Sequence, residues 1–320
     1  MKINYVLSGL AGCLIALALC FPVLLLCKKL KFSQTILHYV KEHEGKSGTP
    51  TMGGIIFIVA AILAFCFFTG GQDLYAWLSL VVMLAYGLIG FLDDFIKIKF
   101  HQNKGLSPWQ KIVGQVGIAI IVALFVYFKV GTRLDFFGAT IEFGWGIIPF
   151  TIFVFLAITN SVNLTDGLDG LAGGVSGIYV LFFGLILSLS QTAQSQNLAI
   201  VSFAMFGAIV GYLALNSFPA KIFMGDTGSL ALGGFIACIS IFSGKVLLMP
   251  IMGLMFVLSA VSVVIQVAYF KKTRKRIFLM APLHHHFQKK GVHENKIVTI
   301  YIIVTGILCA CCLCLEMALR

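Results

Sequence analysis

Ten stretches of about twenty mostly apolar residues follow one another along this chain, each long enough to cross a bilayer as a helix. They run approximately over 4–27, 51–70, 74–93, 111–130, 146–163, 170–190, 198–217, 229–243, 246–270 and 297–318. Within lipid no water satisfies backbone N–H and C=O groups, so each segment must bond its backbone internally. The expected fold is all-α: a polytopic integral membrane protein with about ten transmembrane helices, in one domain over 1–320. Composition agrees, because 59% of the residues are hydrophobic and only 11% charged. A water-soluble domain could not cover that much apolar surface. The first run, 5–27, exceeds the core of a signal peptide and lacks a small-residue cleavage site, so it reads as a retained span. The eighth run is short and rich in glycine (Gly228, Gly233, Gly234).

Basic residues orient the spans. With ten spans both termini share one side, and the connections at 28–50, 94–110, 164–169, 218–228 and 271–296 share the other. Eighteen of the 23 lysines and arginines fall in or beside these five connections, against Lys2, Lys129, Arg133, Lys245 and Arg320 on the opposite side. The positive-inside rule makes the five connections cytoplasmic and both termini external. The formal charge of +11 is thus concentrated on the cytoplasmic face.

Carboxylates follow the same division. Of seven aspartates, Asp93, Asp94, Asp166, Asp169 and Asp226 lie at cytoplasmic ends of spans, whereas Asp73 and Asp135 are external. A carboxylate at the edge of a bilayer is costly unless it pairs with a cation or lines a wet cavity. Five on one side point to a site for a divalent metal or a phosphorylated substrate. All nine cysteines, including Cys309, Cys311, Cys312 and Cys314, lie inside apolar runs. There they read as small lipid- or helix-facing residues rather than as metal ligands.

Five short motifs carry the chemistry. Asp93 and Asp94 close the third span, with Lys97 one turn beyond Asp93 on the same helical face. Asn163, Asp166 and Asp169 in NLTDGLDG are spaced i, i+3, i+6, which on a helix forms one polar strip. Asp226 in FMGDTGS is expected in a loop between spans, with Asn216 and Phe223 just upstream offering an amide and an aromatic face. Lys46 and GTPTMGG (48–54), which contains Thr51, place a cation and close-approach glycines before the second span. His284, His285 and His286 lie in the largest cytoplasmic loop. Three consecutive histidines seldom ligate one metal, so they read as imidazoles bonding phosphate or sugar. Mg²⁺ typically takes one or two carboxylates plus substrate phosphates, so phosphoryl transfer at a membrane surface is the natural reading. An ion-coupled transporter is the rival from another class. It would place carboxylates near the bilayer midplane, often with inverted repeats, and neither is seen. A purely structural scaffold leaves the one-sided aspartates unexplained.

In this order and topology, GTPTMGG, LDD, NLTDGLDG, MGDTGS and APLHHHF resemble the polyprenyl-phosphate N-acetylhexosamine-1-phosphate transferases over essentially the full chain. The histidine run resembles the muramoyl-pentapeptide branch rather than the N-acetylglucosamine branch, which stays as the alternative. Gln288 stands where the family usually has an acidic residue. The resemblance implies transfer of a sugar phosphate from UDP-N-acetylmuramoyl-pentapeptide to undecaprenyl phosphate, releasing UMP and giving lipid I for peptidoglycan. It implies Mg²⁺, with Asp226 as ligand and Asp93, Asp94, Asp226 and His285 as catalytic candidates. Asn163, Asp166, Asp169, Asn216 and Phe223 fall in the substrate pocket, Lys46, Thr51, Lys97 and Lys111 line it, and His284 and His286 contact substrate. The expected setting is the bacterial plasma (inner) membrane, with the active site on its cytoplasmic face and no nucleic-acid partner. The sequence leaves monomer or homodimer open.

Overall fold

The computed structural model describes residues 3–30, 32, 48–69, 73–100 and 104–319; Lys46 lies outside them. Twelve helices follow in order: α1 (Ile3–Lys29), α2 (Gly54–Thr69), α3 (Leu74–Lys99), α4 (Pro108–Phe125), α5 (Ile147–Thr165), α6 (Leu171–Ser188), α7 (Ala193–Asn216), α8 (Gly225–Phe242), α9 (Met249–Met252), α10 (Leu254–Thr273), α11 (Leu283–Lys289) and α12 (Glu294–Ala318). Among the described residues nine helices are long and apolar enough to cross a membrane, and α2 is a shorter apolar helix. Each expected span therefore has its helix.

Local chemistry sets several starts. Asp73 caps α3 by accepting from the Ala76 N–H at 2.8 Å. At α4, Ser107 and Gln110 form a reciprocal capping box ahead of Pro108, which satisfies backbone donors that the helix cannot.

Three boundaries differ from expectation. The second span starts at Gly54 rather than 51, because Met52 adopts a left-handed backbone (φ 69°). The residues before it bond across the bundle instead: Phe223 N–H to Pro50 O at 2.8 Å and Gly53 N–H to Phe223 O at 2.8 Å. The ninth span is interrupted, with α9 ending before Gly253 and the long helix beginning at Leu254. The eighth helix starts at Gly225, earlier than the expected 229. The all-α expectation needs one small addition in the connection between α4 and α5. There β1 (Arg133–Phe136) and β2 (Ala139–Glu142) pair antiparallel, Arg133 opposite Glu142.

Burial orders the helices. The apolar window of α8 is 94% buried and those of α6 and α7 are 72%, against 22% for α1 and α10. An apolar helix with so little of its surface covered suits a lipid-facing position. Helix α8 is the axis of the molecule, packed chiefly on α3 and α5. Glycines set its closest contacts: Gly228 meets Gly54 backbone to backbone, and Gly90 leaves room for the Asp226 carbonyl. Small residues permit such approach where apolar lipid offers no drive for helices to associate.

Candidate active site

At the N-terminal end of this axis the carboxylates divide their work. Adjacent residues on a helix point about 100° apart, so Asp93 and Asp94 face different neighbours, both essentially fully buried. Asp94 turns onto the start of α8. Its Oδ1 accepts from the Asp226 N–H at 3.2 Å, and its Oδ2 from the Thr227 N–H at 2.9 Å and the Thr227 hydroxyl at 2.8 Å. A carboxylate there satisfies donors that the first helical turn leaves unpaired. Gly225 makes the geometry possible: its φ is +73°, and a Cβ would sit 2.6 Å from Asp94 Oδ2 and 2.8 Å from Thr51 Oγ1.

Asp93 turns the other way. Its Oδ1 accepts from the Leu106 N–H at 2.7 Å and faces Lys111 Nζ at 3.1 Å, while its Oδ2 pairs with Lys97 Nζ at 2.6 Å. Asp226 joins them. Its Oδ2 takes Lys111 Nζ at 2.6 Å and Lys97 Nζ at 3.1 Å, and its Oδ1 accepts from Asn163 Nδ2 at 2.9 Å. Asn163 also donates to Ser229 Oγ at 2.8 Å, which fixes its amide. The expected Asp93–Lys97 pair is thus present, and Asp226 lies in the first turn of α8 rather than in a loop.

Ligand atoms of Asp93, Asp94 and Asp226 lie within 4.8 Å of one another. All-oxygen donors with lysines for phosphate beside them fit a hard divalent ion such as Mg²⁺. Since Asp94 is committed to the backbone of α8, Asp226 and Asp93 are the two that would hold it. No comparable group of histidines or cysteines occurs among the described residues. Cys309 and Cys312 are buried while Cys311 and Cys314 face outward, as expected of helix- and lipid-facing thiols.

The expected helical strip of Asn163, Asp166 and Asp169 does not form. Helix α5 ends at Thr165, and Asp166 leaves helical geometry (φ −77°, ψ 55°), because Gly167 and Gly170 favour turns over helix. Asp166 stays partly exposed at the mouth, and burial together with Asp226, Asp94 and Asp169 pushes its carboxyl up to about 8. Asp169 is buried and turned away, accepting from the Ala220 N–H at 2.9 Å. Asn216 uses both ends of its amide on backbone, with the Gly170 N–H at 3.2 Å and Ile222 O at 3.0 Å. Phe223 is half-buried and Thr51 fully buried beneath Gly225.

Three histidines go three ways. His284 is buried, and neither ring nitrogen has a hydrogen-bond partner in the structure. Burial and neighbouring His285 hold it well below the usual imidazole range, so it is neutral. Both His284 and His285 rest against Gly167, where a Cβ would lie 2.8 Å from His285 Nε2. Nδ1 of His285 lies 3.0 Å from Gln288 Oε1, and His286 Nδ1 accepts from the Leu279 N–H at 3.1 Å. His284 and His285 thus lie side by side, their ring centroids 4.4 Å apart, while His286 binds the backbone of Leu279.

Residues 76–244 match the sequence pattern of glycosyl transferase family 4, and residues 46–58 match the first signature of the phospho-N-acetylmuramoyl-pentapeptide transferases. Proteins of that name are similar over most of their length. The Clostridium perfringens (strain 13) enzyme is 42% identical over 90% of this chain and 91% of its own. That of Clostridioides difficile is 44% identical over 88% of each, and that of Thermoanaerobacter sp. X514 is 45% identical over 87% and 88%. The chain belongs to the phospho-N-acetylmuramoyl-pentapeptide transferase family.

In this transferase the described part of the signature segment includes Pro50, Gly53 and Gly54, whose backbone pairs with Phe223 and Met224 just before Asp226. A groove of about 550 Å³ opens beside the histidine loop. Its floor includes Val267, Phe270 and Leu279, and its rim Lys271, Arg276 and Lys289. Sequence reading missed Leu106, whose N–H anchors Asp93, and Glu294, whose Oε1 accepts from the Asp169 N–H at 2.6 Å. Backbone donors leave no mark in residue type, and Glu294 resembles an ordinary helix-start acid. Only its burial sets it apart.

Proposed function

We infer that this chain transfers phospho-N-acetylmuramoyl-pentapeptide from UDP-N-acetylmuramoyl-pentapeptide to undecaprenyl phosphate, giving lipid I and UMP in peptidoglycan synthesis. One observation carries the chemistry: Asp93 and Asp226 face Lys97 and Lys111 at the cytoplasmic end of a buried helix. The exposed apolar face of α10 and the cation-rimmed groove beside it support an acceptor that stays in the membrane. A plasma-membrane setting, cytoplasmic site and external termini follow from the lysine distribution.

The attacking group is a phosphate monoester with a second pKa of about 6, already largely ionised at neutral pH. Catalysis then needs charge screening between two anions and in-line positioning more than a strong base. Mg²⁺ held by Asp226 and Asp93 would supply charge neutralisation to the donor diphosphate. Lys97 and Lys111 screen the remaining charge, and His285 adds a hydrogen-bonding group at the mouth. Asp93, beside Asp226 and free of the α8 backbone, orients the acceptor phosphate, which needs no base because it is already ionised. Asn163 holds Asp226 in place. Asp166, Phe223 and His286 line the sugar–nucleotide side, while Thr51, Asp169, Asn216 and His284 shape it from behind. The reaction is a direct displacement, so configuration inverts at the transferred phosphorus; retention would favour a covalent aspartyl-phosphate instead.

The deciding assay presents the purified protein with undecaprenyl phosphate and either UDP-N-acetylmuramoyl-pentapeptide or UDP-N-acetylglucosamine, with and without Mg²⁺. Lipid I and UMP are expected only with the first donor and only with Mg²⁺. Exclusive use of UDP-N-acetylglucosamine would overturn the assignment, and full turnover with a chelator present would remove the metal.

A further inference from the structure

We propose that Lys111 is an exchangeable internal counter-ion: it gives up Asp226 to an entering divalent cation, and its released ammonium then receives the donor's diphosphate. The inference rests on the reading of Asp226 as a cation ligand and adds an order of events to it.

The geometry is crowded at one atom. Asp226 Oδ2 accepts two ammonium groups, Lys111 at 2.6 Å and Lys97 at 3.1 Å, while Oδ1 is held by Asn163. Both oxygens of Asp94 are committed to the start of α8. A cation seeking Asp226 therefore meets an oxygen already carrying two positive neighbours. Three cationic centres around one carboxylate oxygen repel strongly where water screens poorly, so one lysine must leave.

The contacts decide which. Lys97 keeps a short pair with Asp93 Oδ2 at 2.6 Å and lies 3.9 Å from Asp94 Oδ1, both on its own helix one turn back. Lys111 has as its second partner Asp93 Oδ1 at 3.1 Å, and that oxygen already accepts the Leu106 N–H. It also comes from the first turn of α4, and its side chain is 24% exposed against 18% for Lys97. Lys111 makes the shorter contact to Asp226, but once that contact is lost it keeps only the shared Asp93 Oδ1, whereas Lys97 stays held by Asp93 Oδ2 and Asp94 on its own helix. Once released, Lys111 puts a positive charge at the mouth beside the cation, where a diphosphate arrives. Cation binding and diphosphate binding are then linked through one side chain, in the reciprocal sense that linkage requires.

The test uses the purified full-length protein in detergent, pulse-labelled with acetic anhydride while Mn²⁺ is titrated. Acetylation of each lysine is read by peptide mass spectrometry, and Mn²⁺ occupancy by electron paramagnetic resonance on wild type and D226N in parallel. Lys111 labelling is expected to rise roughly tenfold with Mn²⁺ occupancy, equivalent to ~1.4 kcal/mol of released pairing. Lys97 and exposed Lys104 stay flat. Inorganic pyrophosphate added to the Mn²⁺-loaded protein should protect Lys111 again. Tight Mn²⁺ binding that depends on Asp226 but leaves Lys111 labelling unchanged, or raises Lys97 instead, overturns the exchange and spares the metal site. Mn²⁺ bound equally by D226N removes both. A released Lys111 that pyrophosphate does not protect overturns the diphosphate step.

Discussion

Three aspartates within 4.8 Å of one another should respond to mutation in three ways. Asp94 anchors α8 through Thr227 and the Asp226 N–H, so Asp94→Asn sets an amide N–H against donors. Hydrogen bonds to a charged group contribute roughly 1.5–3 kcal/mol, and a loss of that order should appear as a lower melting temperature in detergent. Asp226→Asn removes the charge that two lysines share and sets an amide N–H among the donors Lys97, Lys111 and Asn163, so it too lowers the melting temperature. Its kcat is expected to fall by roughly 10²–10³, as for loss of a main electrostatic group, measured at a temperature where the protein remains folded. If Asp94→Asn proves as stable as wild type, the anchoring role fails. Asp166 offers a pH test. Its carboxyl is pushed up to about 8 in the folded protein from an unfolded value of about 3.9, so its ionisation is unfavourable to the fold. Wild type therefore loses stability relative to Asp166→Asn as pH rises from about 4 to about 8, with no further change above. Melting temperatures of the two proteins across that range check the sign.

At the scale of elements, α8 and its glycines position the site. Gly228→Ala would bring a Cβ within 2.7 Å of the Gly54 Cα, and overpacking of this kind costs ~1–3 kcal/mol. The substitution should lower both melting temperature and kcat, because the same turn carries Asp226. Gly117→Ala on α4 is the control: a Cβ there meets nothing within 4 Å, so stability and activity should hold. The ten helices were legible because runs of about twenty apolar residues admit little else in a bilayer. Three details were not. The helix starts at Gly54 and Gly225 depend on a backbone pairing between 50–54 and 223–224, residues far apart in sequence. The regular spacing of Asn163, Asp166 and Asp169 matched a helix, yet turn-forming Gly167 and Gly170 ended α5 first. Similarly, one run of three histidines held three side chains with unrelated partners.

For the whole molecule, two charged clusters mark opposite ends. At one end Lys245 pairs with Glu316 at 2.9 Å and Asp135 at 3.3 Å, tying the hairpin to the end of α12. Glu316 is 5% exposed and Asp135 40%. Glu316→Gln, which leaves the buried Lys245 ammonium with only the half-exposed Asp135, should cost up to about 3 kcal/mol, against about 1 kcal/mol or less for Asp135→Asn. Neither should alter kcat, since the candidate site lies at the other end of α8, and a kcat change in Glu316→Gln would contradict that separation. On the cytoplasmic side the basic face gathers anionic substrates, so KM for the nucleotide donor should rise with ionic strength while kcat holds. By itself the sequence determined the membrane-spanning class and the one-sided aspartates, because hydropathy and charge act locally along the chain. Tertiary structure decided which aspartate anchors α8, which pair faces Lys97 and Lys111, and how the two lysines share one oxygen. Those assignments depend on distances of about 3 Å between α3, α4, α5 and α8, and residue spacing along one chain does not encode them.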